Sequence, residues 1–228
     1  MLQVKNVIKT YGKRDNVFNA LNGVSFEVQE GETVAIIGKS GSGKSTLMHI
    51  IAGLDKPTSG SVTFMDQPIE SMNAKQLAKL RNEQFGFVFQ QFFMQPQLSS
   101  LHNVSLPLKI RGMDKSTRAQ KAQQALQDVE LSDKAKNKGT NLSGGQKQRV
   151  CIARAIVTEP RVLFADEPTG NLDSETGEKI TELLFKLNKE KGITLIIVTH
   201  DEELASLCNR KIYIKDGKIE RMEGGKKK

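Results

Sequence analysis

The sequence predicts an α/β fold built on a mainly parallel sheet, with a helical segment inserted between the two halves of its core. One short, continuous apolar run, residues 33–37, leads straight into a glycine-rich loop. Two more, residues 162–165 and 194–198, stand on either side of a helical stretch at 174–190. Continuous apolar runs of this length suit strands buried on both faces, and strand, helix, strand in succession implies parallel strands joined by crossover helices.

Taken in order, Leu2, Val4 and Val7 alternate with polar residues up to Tyr11 and Gly12, a strand ending in a turn. A second strand, 24–28, reaches the turn at Glu30 and Gly31, and the buried strand 33–37 follows. Next come a helix at 44–52, a strand at 61–65, a helix at 74–82 and the alternating strand 85–89. From Asp114 to about Leu131 the pattern is helical and polar, and another helix begins near Ser143, so 91–157 reads as a helical insertion. The strands 162–165 and 194–198 flank the helix that Gly192 terminates, and 211–219 reads as a hairpin turning at Asp216 and Gly217. The expectation is one domain over 1–228: a core at 1–90 and 158–222, a helical part at 91–157 and a disordered tail at 223–228. No internal repeat is visible.

At 228 residues, 37% hydrophobic and 26% charged, the chain has the composition of an ordinary packed globule. Cys151 and Cys208 fit neither a zinc spacing nor a disulfide framework, and read as packing residues of a reducing compartment. The N-terminus has no apolar run followed by a cleavage site, which points to the cytoplasm. Within the longest uncharged stretch, residues 85–108 include Gln90, Gln91, Gln95, Gln97, Pro96 and Pro107 and are too polar to span a bilayer. Any role in transport therefore requires a partner that supplies the membrane helices. The net charge is +8, and Lys109 to Arg149 carries ten Lys or Arg against four Asp or Glu. The leading reading of that stretch is a solvated helical face; a lipid-headgroup surface and a nucleic-acid site rank below it.

Gly38, Lys39, Ser40, Gly41, Ser42, Gly43, Lys44 and Ser45 fit G-x-x-x-x-G-K-[ST] between a buried strand and a helix that runs on through Thr46. In that setting glycines let backbone N–H groups converge on phosphate oxygens, the helix start adds a positive dipole, Lys44 reaches the β and γ phosphates, and the Ser45 hydroxyl binds Mg²⁺. The apolar strand ending at Asp166 and Glu167 delivers two carboxylates to its C-terminal end, where open α/β sheets bind ligands. Asp166 is expected to hold Mg²⁺, and Glu167 to face the attacking water as general base or orienting group. Leu142, Ser143, Gly144, Gly145 and Gln146 open a second helix whose serine cap and glycines offer another phosphate site. Two such helix starts for one nucleotide make sense if the second serves a nucleotide on another copy.

With these motifs, the segment Pro168 to Asp173, Gln90 after its strand and His200 after another, the chain resembles the ATP-binding subunit of ABC transporters over nearly its full length. No other P-loop family combines them. The resemblance implies an N-terminal antiparallel β subdomain, a helical subdomain, and ATP with Mg²⁺ as ligands. It implies a head-to-tail homodimer, with each ATP between one copy's phosphate loop and the other's Ser143, Gly144, Gly145 and Gln146. Tyr11 matches the aromatic that stacks on adenine, His200 the histidine that contacts the γ-phosphate, and Asp173 the residue that communicates across the dimer. Gln90 matches the glutamine that meets Mg²⁺ and the attacking water, with Gln91 beside it as the alternative. Between Gln90 and Leu98, Phe92, Phe93 and Met94 match the groove that receives a cytoplasmic helix of the membrane permease subunit, although they could instead be core.

The wording of residues 166–173 and 87–91 is most similar to the branch serving macrolide exporters, lipoprotein-release systems and peptide-resistance exporters. That implies a peripheral protein on the cytoplasmic face of the inner membrane, an ATPase coupled to transport, with no nucleic-acid partner. The rival is a soluble ABC-type ATPase acting on nucleic acid or ribosomes. Such relatives carry long coiled coils, zinc cysteines or two fused motors, and this chain has none of these.

Overall fold

A computed structural model describes residues 1–12 and 17–225. In chain order the elements are β1 (Leu2–Tyr11), β2 (Phe18–Val28), β3 (Thr33–Ile37), α1 (Lys44–Ile51), β4 (Ser59–Phe64), β5 (Gln67–Pro68), α2 (Ala74–Gln84), β6 (Phe85–Phe89), α3 (Ser100–Ile110), α4 (Lys115–Asp128), α5 (Gly144–Ile156), β7 (Val162–Asp166), α6 (Ser174–Lys191), β8 (Thr194–Thr199), α7 (Glu202–Ser206), β9 (Arg210–Lys215) and β10 (Lys218–Gly224). The chain divides into two compact units, residues 1–81 with 194–228, and residues 82–193.

The first unit contains two sheets. One is antiparallel, in the order β2-β1-β4-β5, with Leu2, Val4 and Val7 buried along β1. In the other, β3 lies parallel to both β8 and β9, and β10 closes the edge antiparallel to β9. All five residues of β3 and all six of β8 are buried, which is why both read as unbroken apolar runs rather than alternating ones. Asp216 and Gly217 both take positive φ, 48° and 73°, the conformation that a two-residue hairpin demands. On α1, Leu47, Met48, Ile50 and Ile51 are buried, each contributing about 1.5–3 kcal/mol relative to exposure.

In the second unit β6 and β7 pair in parallel, Phe85 opposite Val162 through Phe89 opposite Asp166. Helices α3, α4 and α5 occupy the crossover between them. A Cβ on Gly86 would sit 2.5 Å from the Ala155 carbonyl oxygen, so glycine is what lets α5 lie close against β6. Phe164 stacks on Phe87 at 5.6 Å and meets Phe85 edge-on at 5.2 Å.

Strand β2 begins at Phe18 rather than Val24, and three larger expectations change. Within the helical part expected at 91–157, the sequence predicts no separate helix at 100–110, the span of α3, because Pro107 inside it and a charge-free, glutamine-rich approach break the helical pattern. It forms because the Ser99 hydroxyl caps it, accepting from His102 N, and because buried Asn103 binds the preceding loop through Gln95, Leu98 and Ser99. Helix α4 stops at Asp128 rather than near Leu131. Strand β10 runs through Glu223 and Gly224, where a disordered tail was expected, and Glu223 pairs with Lys211 and Arg221. Residues 226–228 of the expected tail lie outside the described residues.

Candidate functional site

The phosphate loop leaves the end of β3 and enters α1 with no side-chain cap and no acidic residue in the first helical turn. The first amides of the helix are therefore left to a ligand, and the dipole there favours an anion. The loop has no space for side chains at two of its glycines: a Cβ on Gly38 would collide with the Ile214 carbonyl oxygen, and one on Gly43, at φ 106°, would lie 2.5 Å from Ala20 O. Lys44 is buried, and its ammonium donates to Gly38 O at 2.7 Å and Lys39 O at 3.0 Å, so its charge sits across the loop. Ser42 Oγ is enclosed with no hydrogen-bond partner among the described residues. A loop with no room for side chains at Gly38 and Gly43, an enclosed cation and an unsatisfied hydroxyl fit a polyphosphate.

Tyr11 ends β1 with 42% of its surface exposed, and its hydroxyl donates to Asp55 at 2.7 Å. Lys9 lies 4.8 Å above the ring and bonds Asp55 at 2.8 Å. Burial, then the Asp55 carboxylate, raises the Tyr11 pKa and keeps the phenol a donor. Burial alone would raise Asp55 as well, but the hydrogen bonds from Lys9 and Tyr11 outweigh it and hold the carboxyl below its usual range. The sequence singles out Tyr11 but gives no sign of Lys9 and Asp55 beside it, since no local pattern joins residues 44 apart. His200 follows β8 and is exposed. Its backbone is fixed on the next residue, because Asp201 N donates to the Thr199 hydroxyl and the Asp201 carboxylate caps α7.

In the second unit the register of β6 and β7, Phe89 opposite Asp166, brings Gln90 and Glu167 to the ends of adjacent strands. Glu167 has φ 46°, a left-handed conformation that costs a non-glycine residue about 1–3 kcal/mol, and its carbonyl accepts from Gly170 N at 3.1 Å. Gln90 rather than Gln91 is tied to this turn: Gln90 Nε2 donates to Asn171 Oδ1 at 3.3 Å, and Asn171 Nδ2 donates to Gln90 O at 2.9 Å. Asn171, seen in the sequence only as one letter of a matching segment, is thus the clamp on Gln90.

Ser143 caps α5 in a reciprocal box, Gln146 N donating to Ser143 Oγ at 3.3 Å and Ser143 N to Gln146 Oε1 at 3.0 Å. The two side chains thus bond each other's backbone, and the N–H groups without an intrahelical acceptor at the helix start are those of Gly144 and Gly145. Asp173 caps α6, accepting from Thr176 N at 3.0 Å, and that bond lowers its pKa. Of the basic stretch, Lys121 pairs with Glu159, Lys134 with Asp133 and Arg149 with Glu130, while Arg111 bonds Asn82 and Thr158 O.

Phe93 is 64% exposed, rests edge-on against Phe89 at 5.4 Å and is held by Arg154, which donates to its carbonyl at 2.7 Å. Leu98 is exposed, whereas Phe92 and Met94 are half-buried. Cys151 and Cys208 are buried as expected, which raises their thiols to about 11 and about 12. Among the described residues no helix is long and apolar enough to cross a membrane, and no group of three His, Cys, Asp or Glu could hold a metal by itself. Ser45 Oγ and the Asp166 carboxylate are oxygen donors, the type that Mg²⁺ takes.

The ABC transporter family pattern matches residues 21–170. The lipoprotein-releasing system ATP-binding protein LolD of Syntrophus aciditrophicus is 47% identical over 219 residues, covering 96% of this chain and 98% of that protein. The ABC transporter ATP-binding protein MJ0796 of Methanocaldococcus jannaschii is 48% identical over 227 residues, covering 98% and 97%. A solved dimeric, post-hydrolysis structure of MJ0796 bound to ADP and Pi is similar at a TM-score of 0.90 and 46% identity, over 98% of each chain.

Proposed function

The chain belongs to the ABC transporter family as an ATP-binding domain, and on that premise we propose that it hydrolyses ATP as a head-to-tail homodimer and drives a separate membrane permease. The observation that carries this reading is the phosphate loop, with Lys44 lying across a glycine cradle at an uncapped helix start.

In the proposed mechanism the α1 amides and Lys44 neutralise the β and γ phosphates as charge builds on the leaving group. Ser45 and Asp166 would hold Mg²⁺, which would supply additional positive charge to the phosphates. Glu167 accepts a proton from the attacking water or orients it, Gln90 holds that water on its other side, and His200 hydrogen-bonds the γ-phosphate. Tyr11 presents its ring to adenine. Gly144 and Gly145 of the second copy offer their amides to the same phosphate, with Ser143 and Gln146 shaping that helix start and Asp173 lying across the dimer. Transport energy passes in this reading to a separate permease, for which residues 90–98 are the proposed dock. The similarity to LolD favours a lipoprotein-, peptide- or macrolide-handling system at the cytoplasmic face of the inner membrane.

The test is Glu167→Gln in the purified protein. It is expected to bind ATP as wild type does, to lose nearly all turnover and to accumulate as an ATP-bound dimer on size exclusion. Turnover at the wild-type rate would remove Glu167 from the mechanism. Lys44→Ala is expected instead to weaken nucleotide binding itself.

A further inference from the structure

Gln148 lies on the inner face of α5, one turn beyond the capping box, and is fully buried. Its amide nitrogen donates to Pro168 O at 2.6 Å and to Phe89 O at 3.3 Å, using both of its hydrogens. These two carbonyls have specific neighbours in the chain: Pro168 follows Glu167, and Phe89 precedes Gln90. The β6–β7 ladder ends at the pair Phe89 and Asp166. The Gln148 amide therefore bridges the two chain segments just where the ladder stops holding them together. Its Oε1 is buried with no hydrogen-bond partner among the described residues. An orphaned buried oxygen is destabilising, and an apolar side chain of the same length would fill the space without that cost. Packing alone thus does not account for a glutamine here, whereas donation to two carbonyls does.

We infer that Gln148 is a positioning residue for ATP hydrolysis: it sets the spacing between the backbone of Gln90 and that of Glu167, and makes that spacing follow the position of helix α5. The start of the same helix carries Ser143, Gly144 and Gly145. A nucleotide bound there by one copy shifts the amide of Gln148, and with it the two residues that flank the water in that copy's own site. The inference rests on the roles proposed above for Gln90 and Glu167, and adds the link through which the helix start reaches them. A displacement on the order of 1 Å at reacting groups costs about a hundredfold in rate, so loss of the bridge has a measurable effect without any contact to substrate.

The experiment compares steady-state ATP hydrolysis by the full chain as wild type, Gln148→Met and Glu167→Gln, with thermal unfolding of each. Gln148→Met keeps length and volume and removes both donors. It is expected to lower kcat about tenfold or more, with KM for ATP and the unfolding midpoint near wild type. A folded Gln148→Met with wild-type kcat overturns the inference, and so does a kcat that falls only in proportion to folded or ATP-bound protein. If Gln148→Met does not fold, Gln148→Asn, which withdraws the same amide by one methylene, is measured against the same criteria. Wild-type turnover in Glu167→Gln would instead defeat the reading of the site, whereas an inactive Glu167→Gln beside a fully active Gln148→Met would defeat this inference alone.

Discussion

Asn171 and Gln90, 81 residues apart, hold each other by two hydrogen bonds: the Asn171 amide donates to Gln90 O, and the Gln90 amide to Asn171 Oδ1. Gly170 packs against the same side chain, a Cβ there falling 2.9 Å from Gln90 Nε2. The glutamine after β6 is therefore oriented by the turn after β7. Asn171→Ala removes both bonds on an exposed surface, so stability should change by no more than about 1 kcal/mol. The expected result is a fall in kcat on the order of tenfold with little change in KM, read from steady-state hydrolysis. A rise in KM alone would assign Asn171 to binding instead.

The cluster of Lys9, Tyr11 and Asp55 gives a pH prediction with a definite sign. The folded-state pKa of Asp55 is lowered, so its contribution to stability is present above the unfolded value and is lost as pH falls through the folded value. Asp55→Asn should therefore be less stable than wild type near neutral pH, and the gap should close as the pH drops toward about 3. The pair is partly exposed, so the gap is at most about 1 kcal/mol. Urea unfolding at several pH values measures it, and a gap that widens in acid would reverse the assignment. The same variant should raise KM for ATP, because the ring of Tyr11 loses its tether.

Phe93 offers a separation between motor and dock. With 64% of its surface exposed, it can be changed to Asp with little effect on folding. Phe93→Asp should bind and hydrolyse ATP as wild type does in isolation, while transport in cells falls toward background. Loss of folding, seen by circular dichroism, would show that the ring is core and that the dock lies elsewhere.

The phosphate loop, the Asp166-Glu167 pair and the capped start of α5 were legible because each is contiguous: the residues that act together are neighbours in the chain, and their local conformation follows from glycine content, capping and an apolar strand. Gln90 was legible only to within one residue, with Gln91 as the alternative, and the structure adds that Gln90 is the one bonded to Asn171. Helix α3 was hidden by Pro107 and revealed by Asn103, whose four bonds to the loop before it stabilise what local propensity does not.

The sequence alone determined the fold class, the mainly parallel sheet and the motifs, because strand burial and loop geometry leave a short-range imprint in residue order. Tertiary structure decided which groups restrain them: Asp55 on Tyr11, Asn171 on Gln90, and Gln148 on the carbonyls beside Gln90 and Glu167. Hydrogen bonds between residues tens of positions apart have no period and no motif. They exist only once β6, β7 and α5, or β1 and the end of α1, have packed.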